Sequence, residues 1–153
     1  MRFEQEVSIA APIDEVWEFL MDIPAMSACI PGAENVEQIE ENKYAACIRQ
    51  KVGPLSVRFE CQVSINSIDK AAYTASAQVS GRDSKLASGI RADMSMNLEP
   101  QEEGVLLKMV TDADIMGKIG QYGHGIIKQK ANALTKEFGV CVQEQVAARI
   151  PSA

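Results

Sequence analysis

The sequence is poor in aromatic residues, in histidine and in long apolar runs. Phe, Trp and Tyr together make up 5% of the 153 residues, and there is one histidine, His124. No apolar run approaches the roughly 18 to 20 residues that a membrane-spanning helix needs, so we predict no transmembrane segment. The N-terminus, MRFEQEVSIAAP, alternates polar and apolar residues, whereas a signal peptide contains a continuous apolar stretch. We therefore expect a cytoplasmic protein.

Positive charge is also scarce. The chain carries 15 Lys and Arg residues against 21 Asp and Glu residues, which gives a formal net charge of −6. No basic run or Lys/Arg stripe with interleaved aromatic residues is present, so the sequence argues against a nucleic-acid partner. The same charge balance disfavours simple electrostatic docking on anionic lipid.

The four cysteines are far apart in the sequence and form no C-x-x-C pair. Metal clusters and thioredoxin-like redox motifs need close spacing, so we predict no metal site and no cofactor. In a reducing cytoplasm the expected state is a free, buried or half-buried thiol, with a disulfide as the alternative. These cysteines are Cys29, Cys47, Cys61 and Cys141.

Few polar residues form a pattern that would indicate catalysis. No motif places a serine or cysteine nucleophile beside His124, so we interpret His124 as a packed or exposed helix residue. Asp112 and Asp114 could bind a cation or act as an acid–base pair, but we interpret them as negative charge that complements the start of the following helix. The segment SGRDSKLASG predicts a polar loop that could rim a pocket. Its charged residues are Arg82, Asp83 and Lys85.

Alternation of polar and apolar residues predicts seven strands. The clearest pattern runs from Leu55 to Ile65, where every second residue is apolar. Similar alternation predicts strands near residues 2–10, 36–40, 44–52, 73–79, 90–99 and 105–113. This period of two is typical of an antiparallel sheet with one wet face and one packed face.

Helical spacing marks the remaining segments. Pro12 suits the first turn of a helix that continues to about Leu20, and a second short helix is predicted over about residues 25–28. A long helix is predicted over about residues 117–147. The order of elements indicates a single α+β domain over residues 1–153, in which a curved seven-stranded antiparallel sheet wraps around the C-terminal helix. The apolar stripe of that helix consists of Ile127, Ala131, Leu134, Phe138 and Cys141.

Four glycines between Gly117 and Gly125 precede or open the long helix. They do not match a dinucleotide-binding fingerprint, which needs a βαβ unit, nor a P-loop, which ends in Gly-Lys-Ser/Thr. Extending the apolar stripe backwards reaches Gly123 and Gly120, so we predict that both face the sheet. They would either allow close helix–sheet packing or, with small residues on the strands, leave unfilled volume between helix and sheet.

Three segments carry a family resemblance: IPGAENVE, KVGPLSVRF and residues 117–138. Over residues 1–146 the chain resembles the G-subunit family of carbon monoxide dehydrogenase, within the START-like (SRPBCC) helix-grip superfamily. The resemblance implies a hydrophobic tunnel under the C-terminal helix that holds a lipid-like or quinone-like molecule. It also implies an accessory, recruitment or maturation role for a carbon monoxide dehydrogenase-type molybdenum hydroxylase, at the inner face of the membrane.

The sequence therefore predicts a non-enzymatic protein that binds a hydrophobic small molecule between sheet and long helix. Two alternatives are a cyclase- or hydrolase-like enzyme, for which Tyr44, Tyr73 and Gln50 are the inward-facing polar candidates, and an assembly chaperone that binds a partner protein. We predict no catalytic residues. The predicted ligand-binding residues are Phe59, Cys61, Tyr73, Ala75, Ala77, Met94, Met96, Met109, Ile119, Gly120, Gly123 and Ile127.

Overall fold

The computed structural model describes residues 1–149. The strands are β1 (Arg2–Ile9), β2 (Ala33–Glu40), β3 (Lys43–Val52), β4 (Leu55–Asp69), β5 (Thr74–Asp83), β6 (Ser88–Gln101) and β7 (Gly104–Met116). The helices are α1 (Ile13–Met21), α2 (Ile23–Ser27) and α3 (Gly123–Arg149), and a 3₁₀ turn, Ile119–Tyr122, precedes α3. The predicted domain extends to residue 153, and residues 150–153 lie outside the described part.

All seven strands pair antiparallel in one curved sheet with the order β1-β7-β6-β5-β4-β3-β2. Each strand from β2 to β6 pairs with the next along the chain, whereas β1 lies at the edge of the sheet beside β7. The two short helices follow β1, and α3 packs against β1, β3 and α1. This arrangement confirms the predicted α+β helix-grip fold.

The short helices have local causes in the sequence. Pro12 precedes α1, and Asp14 and Glu15 in its first turn suit the positive end of the helix dipole. Asp22 caps α2, because its carboxylate Oδ1 accepts a hydrogen bond from the Ala25 N–H at 3.4 Å. The apolar side chains of α1 then close one end of the sheet. Those that are buried are Val16, Trp17, Phe19 and Leu20.

The apolar interior is divided into three clusters of buried residues. The largest joins α1 and the C-terminal half of α3 to the ends of β1, β6 and β7. A small cluster surrounds Phe3 and Ile127, and another surrounds Val57 and Ile119 at the 3₁₀ turn. A domain of this size usually has one contiguous core. The division leaves a stretch of the sheet's inward face between the clusters.

A disulfide joins Cys29, which follows α2, to Cys141 on α3. The expectation of free thiols is wrong for this pair, because α3 folds back across the sheet and places the two Cα atoms 5.4 Å apart despite a separation of 112 residues. Cys47 and Cys61 are free and buried, as expected.

Candidate functional site

One row of residues across the sheet shows which side chains face α3. The register aligns Ala77 of β5 with Met94 of β6, Met94 with Thr111 of β7, and Thr111 with Phe3 of β1. Phe3 is buried, and its ring stacks on the ring of His124 in α3, with centroids 5.5 Å apart. Because side chains in one cross-strand row lie on one face of a sheet, all members of this row face the helix.

Met94 is exposed although it lies on the inward face of a central strand. Its relative exposure is 37%, whereas Ala92 and Leu98, which face the same way along β6, are 7% and 2% exposed. Ala92 and Leu98 belong to different clusters, and Met94 belongs to neither. An inward-facing side chain can be this accessible only if the space above it is open. The helix therefore does not fill the middle of the sheet.

The open surface continues across the sheet towards β3. Ala77, Ile65, Val63 and Tyr44 are inward-facing in register, half-buried, and outside the three clusters. We call the surface formed by these four residues and Met94 the open groove. Its side chains are apolar apart from the hydroxyl of Tyr44, and the hydroxyl-bearing Thr111 borders it beside Met94.

Packed residues flank the open groove on both sides along the strand direction. At one end the ring of Trp17 meets the ring of Tyr73 edge-on at 5.8 Å, and the Tyr73 hydroxyl donates a hydrogen bond to Asp14 Oδ1 at 2.7 Å. This hydrogen bond raises the pKa of Tyr73, and some burial and the Asp14 charge add to the effect. At the other end the Ile119 N–H donates to Ser88 Oγ at 3.3 Å, which ties the 3₁₀ turn to the start of β6.

The twelve predicted ligand-binding residues divide by their surroundings. Ala77 and Met94 line the open groove, Gly120 lies in the 3₁₀ turn, Gly123 is the first residue of α3, and the other eight have packed neighbours. Cys61, Ile119 and Ile127 are buried, and burial, followed by the nearby Cys47, raises the pKa of Cys61 to about 11. Phe59 packs on the cluster at the 3₁₀ turn. The residues that pack on the largest cluster are Tyr73, Ala75, Met96 and Met109.

The predicted start of the long helix needs correction, because α3 begins at Gly123 and not near Gly117. Gly120 lies in the 3₁₀ turn, where an added Cβ would come within 2.5 Å of the Ile115 carbonyl oxygen. Gly123 has a φ of +80° and open space around it. The close approach of helix to sheet occurs instead at Gly139, where an added Cβ would overlap the side chain of Val7.

Two cavities are present away from the open groove. The larger, about 780 Å³, lies around the β3–β4 and β5–β6 ends of the sheet, and none of the twelve predicted residues lines it. The smaller, about 410 Å³, is lined by Ala75 and Met96 together with polar residues whose register places them on the opposite face. Sequence reasoning missed the larger cavity, although the segment SGRDSKLASG predicts part of its rim.

The remaining polar candidates are engaged in structural contacts. Asp112 lies in β7 and forms an ion pair with Arg2 at 3.6 Å. The interpretation that Asp112 and Asp114 complement the start of the long helix is wrong, since both lie in β7 and the 3₁₀ turn separates them from α3. Within residues 1–149, no group of three or more His, Cys, Asp or Glu residues could hold a metal ion. No helix in that part of the chain is long and apolar enough to cross a membrane.

Solved structures of other proteins share this fold. A conserved protein from Geobacillus kaustophilus superposes with a TM-score of 0.88 at 23% identity, covering 97% of this chain and 96% of that chain. A START superfamily protein from Mycobacterium smegmatis gives 0.69 at 10% identity, covering 97% and 99%. The ZhuI aromatase/cyclase from Streptomyces sp. R1128 gives 0.62 at 16% identity, covering 99% and 96%. At these identities the similarity shows the fold alone.

Comparison by sequence identifies a narrower group of proteins than comparison by fold. No curated protein matches the chain. The family model for the carbon monoxide dehydrogenase G-subunit (CoxG) matches residues 6–147, which span the second half of β1, the other six strands and nearly all of α3. The chain therefore belongs to the CoxG family, the G-subunit family of carbon monoxide dehydrogenase, and has a START-like fold.

Proposed function

We propose that this protein is a non-enzymatic carrier that binds a hydrophobic, lipid-like or quinone-like molecule in the open groove. The observation that carries the proposal is the exposure of Met94 between two buried residues of the same strand face. Burial of apolar surface in such a groove contributes about 25 cal/mol per Å², before the costs of ordering are subtracted. Methionine suits an adaptable apolar site, because its side chain is unbranched and polarizable.

The proposed biological role is that of an accessory factor for a carbon monoxide dehydrogenase-type molybdenum hydroxylase, acting at the inner face of the membrane. Family membership supports this role. Co-purification of the protein with such an enzyme from the same organism would test it. The carrier proposal stands independently of that result.

The carrier proposal predicts that filling the open groove abolishes binding. Ala77 is half-buried and next to Met94 in register, so Ala77→Phe would place a ring in the open space. We expect affinity for decylubiquinone to fall at least tenfold. Trp17 is the one tryptophan of the chain and lies at the end of the groove, so quenching of its fluorescence by the quinone reports binding.

Gln78→Phe is the matched control, since Gln78 is the next residue of β5 and its exposed side chain lies on the opposite face. It should leave affinity unchanged. Native mass spectrometry of the purified protein, followed by solvent extraction, would identify any molecule that travels with it. Equal affinity in Ala77→Phe and wild type would show that the ligand binds elsewhere.

The enzyme alternative has less structural support. Gln50 Nε2 donates a hydrogen bond to the Pro31 carbonyl at 2.6 Å, and the Tyr73 hydroxyl is bound to Asp14. Of the three polar candidates, only Tyr44 lies in the open groove. Turnover that is lost in Tyr44→Phe, with binding retained, would favour catalysis over transport.

A further inference from the structure

The larger cavity has a different chemical character from the open groove. Its volume is about 780 Å³, and its lining comes from β3, β4, the β5–β6 loop and one residue of α3, Lys130. Six cationic side chains and two carboxylates line it, which is a formal charge of +4 in a chain whose net charge is −6. We call it the basic cavity. Its cations are Arg49, Lys51, Arg58 and Arg82, which the register places on the outward face of the sheet, Lys85 of the β5–β6 loop, and Lys130 of α3.

Two of these cations already have carboxylate partners. Arg49 Nε lies 2.7 Å from Glu34 Oε1, and Arg58 Nη1 lies 3.2 Å from Glu60 Oε1. In the described residues, no carboxylate lies within 4.0 Å of the charged nitrogens of the other four cations. Those four are therefore available to an anion. They are Lys51, Arg82, Lys85 and Lys130.

The loop that carries Lys85 is held in place by Asp83. Asp83 is 5% exposed, and its side chain accepts backbone hydrogen bonds from Arg58 at 2.8 Å, Lys85 at 2.9 Å and Leu86 at 3.2 Å. Asp83 therefore acts as a positioning residue that fixes the loop against β4. Because its carboxylate oxygens already accept these backbone hydrogen bonds, they compete little with a bound anion for the surrounding cations.

The floor of the basic cavity is apolar. Val57 is 2% exposed, and Leu86 packs against the cluster that contains Val57 and Ile119. On the helix side, Lys130 is half-buried, whereas Lys128 and Lys136 of the same helix are exposed. The aliphatic stem of a half-buried lysine can cover apolar surface while its ammonium group stays accessible to an anion.

We propose that the basic cavity binds the phosphate group of an organic phosphate. A phosphate carries up to two charges and several acceptor oxygens, so it can engage several Lys and Arg side chains at once. The cavity of about 780 Å³ leaves room beside a phosphate for the organic part to which it is attached. The phosphate could belong to a membrane-derived lipid or to a soluble phosphoester. The inference rests on the lining of the basic cavity and not on the open groove.

The test is calorimetric titration with three probes: octyl phosphate, glycerol 3-phosphate and 1-octanol. We expect the wild-type protein to bind at least one phosphate probe and to lose affinity as NaCl is raised, because salt screens exposed charges. Stronger binding of octyl phosphate than of glycerol 3-phosphate identifies a lipid source. Equal binding identifies a soluble phosphoester.

Matched variants locate the site. Arg82→Gln/Lys85→Gln and Lys130→Gln should each weaken phosphate binding at least tenfold. Arg91→Gln and Lys128→Gln remove exposed cations that do not line the cavity, and they should have no effect. All four change exposed or half-buried side chains, and thermal unfolding would verify that they fold.

Three results would overturn the inference: no binding of either phosphate probe, equal loss in the cavity variants and their controls, or equal affinity for octyl phosphate and 1-octanol. Equal affinity for octyl phosphate and 1-octanol would show that both probes bind through their apolar chains, which the open groove can accept. This result would contradict the phosphate proposal and leave the carrier proposal standing.

Discussion

At the residue scale, burial distinguishes positions that the sequence pattern treats as equal. Met94 and Met96 occupy the same phase of β6, and the alternation predicts that both line a pocket. Met96 packs against the largest cluster, whereas Met94 does not. Periodicity identifies the face of a strand, but the position of the neighbouring helix decides which residues on that face are covered.

Asp83 provides a prediction about pH at the same scale. Backbone hydrogen bonds, first that from Arg58, outweigh the opposing effect of burial and lower the pKa of Asp83 in the folded state. In the unfolded chain the pKa of an aspartate is about 3.9. The stabilisation from Asp83 is therefore fully present above that pH, and it is lost as the pH falls through the folded-state pKa.

We expect Asp83→Asn to be less stable than wild type at pH 7 by about 1 to 2 kcal/mol, because three backbone N–H groups lose a charged acceptor. The difference should shrink as the pH is lowered below about 3.9 and through the folded-state pKa of the wild-type carboxylate. Urea unfolding at pH 7 and at a series of acidic pH values measures this. Asp93→Asn, at an exposed position with no side-chain hydrogen bond among the described residues, is the control. A difference that does not vary with pH would contradict the prediction.

At the element scale, the contact of α3 with the sheet depends on one glycine. Gly139→Ala would place a methyl group against Val7, and we expect a loss of about 1 to 3 kcal/mol from overpacking. Alanine stabilises a helix by about 1 kcal/mol relative to glycine, so a net loss of stability in the variant would have to come from the packing against Val7. Thermal or denaturant unfolding measures it.

Two further variants separate packing from helix propensity. Gly125 also lies in α3 but has open space around its Cβ position, so Gly125→Ala should stabilise the protein by about 0.5 to 1 kcal/mol. Combining Gly139→Ala with Val7→Ala should recover part of the lost stability. If Gly139→Ala is as stable as Gly125→Ala, α3 does not approach β1 as closely as described.

The disulfide is the second link between α3 and the rest of the fold. It joins residues 112 apart in the sequence, and for a loop of this length chain entropy predicts about 3 to 5 kcal/mol of stabilisation. We expect Cys29→Ser/Cys141→Ser to lose stability in this range. Reducing agent should destabilise the wild type similarly and have little effect on the variant.

Mass spectrometry can check the cysteine pairing directly. Alkylation of the oxidised, denatured protein should modify two cysteines, Cys47 and Cys61, and alkylation after reduction should modify four. Modification of all four cysteines before reduction would show that the bond does not form under those conditions.

At the scale of the whole molecule, the sequence predicts the architecture far better than the sites. All seven strands, both short helices and the terminal helix follow from local periodicity, which depends on neighbouring residues in the chain. Other features depend on how distant elements meet. Examples are the disulfide between Cys29 and Cys141, and the presence of Arg58 and Lys130 in the lining of one cavity. Local patterns contain no information about such contacts. The pattern also places the start of α3 too early, because a positive φ at Gly123 separates the helix from the 3₁₀ turn.

The open groove and the basic cavity share no lining residue, which leads to a prediction about how they act together. Because the two sites have no residue in common, we expect them to bind their ligands independently. In a double-variant cycle, Ala77→Phe should weaken decylubiquinone binding alone, and Arg82→Gln/Lys85→Gln should weaken octyl phosphate binding alone. The combined variant should show additive effects, within about 0.5 kcal/mol for each probe. Titration of both probes into all variants measures this. A larger coupling energy for octyl phosphate would mean that one molecule spans both sites, with its phosphate in the basic cavity and its chain in the open groove.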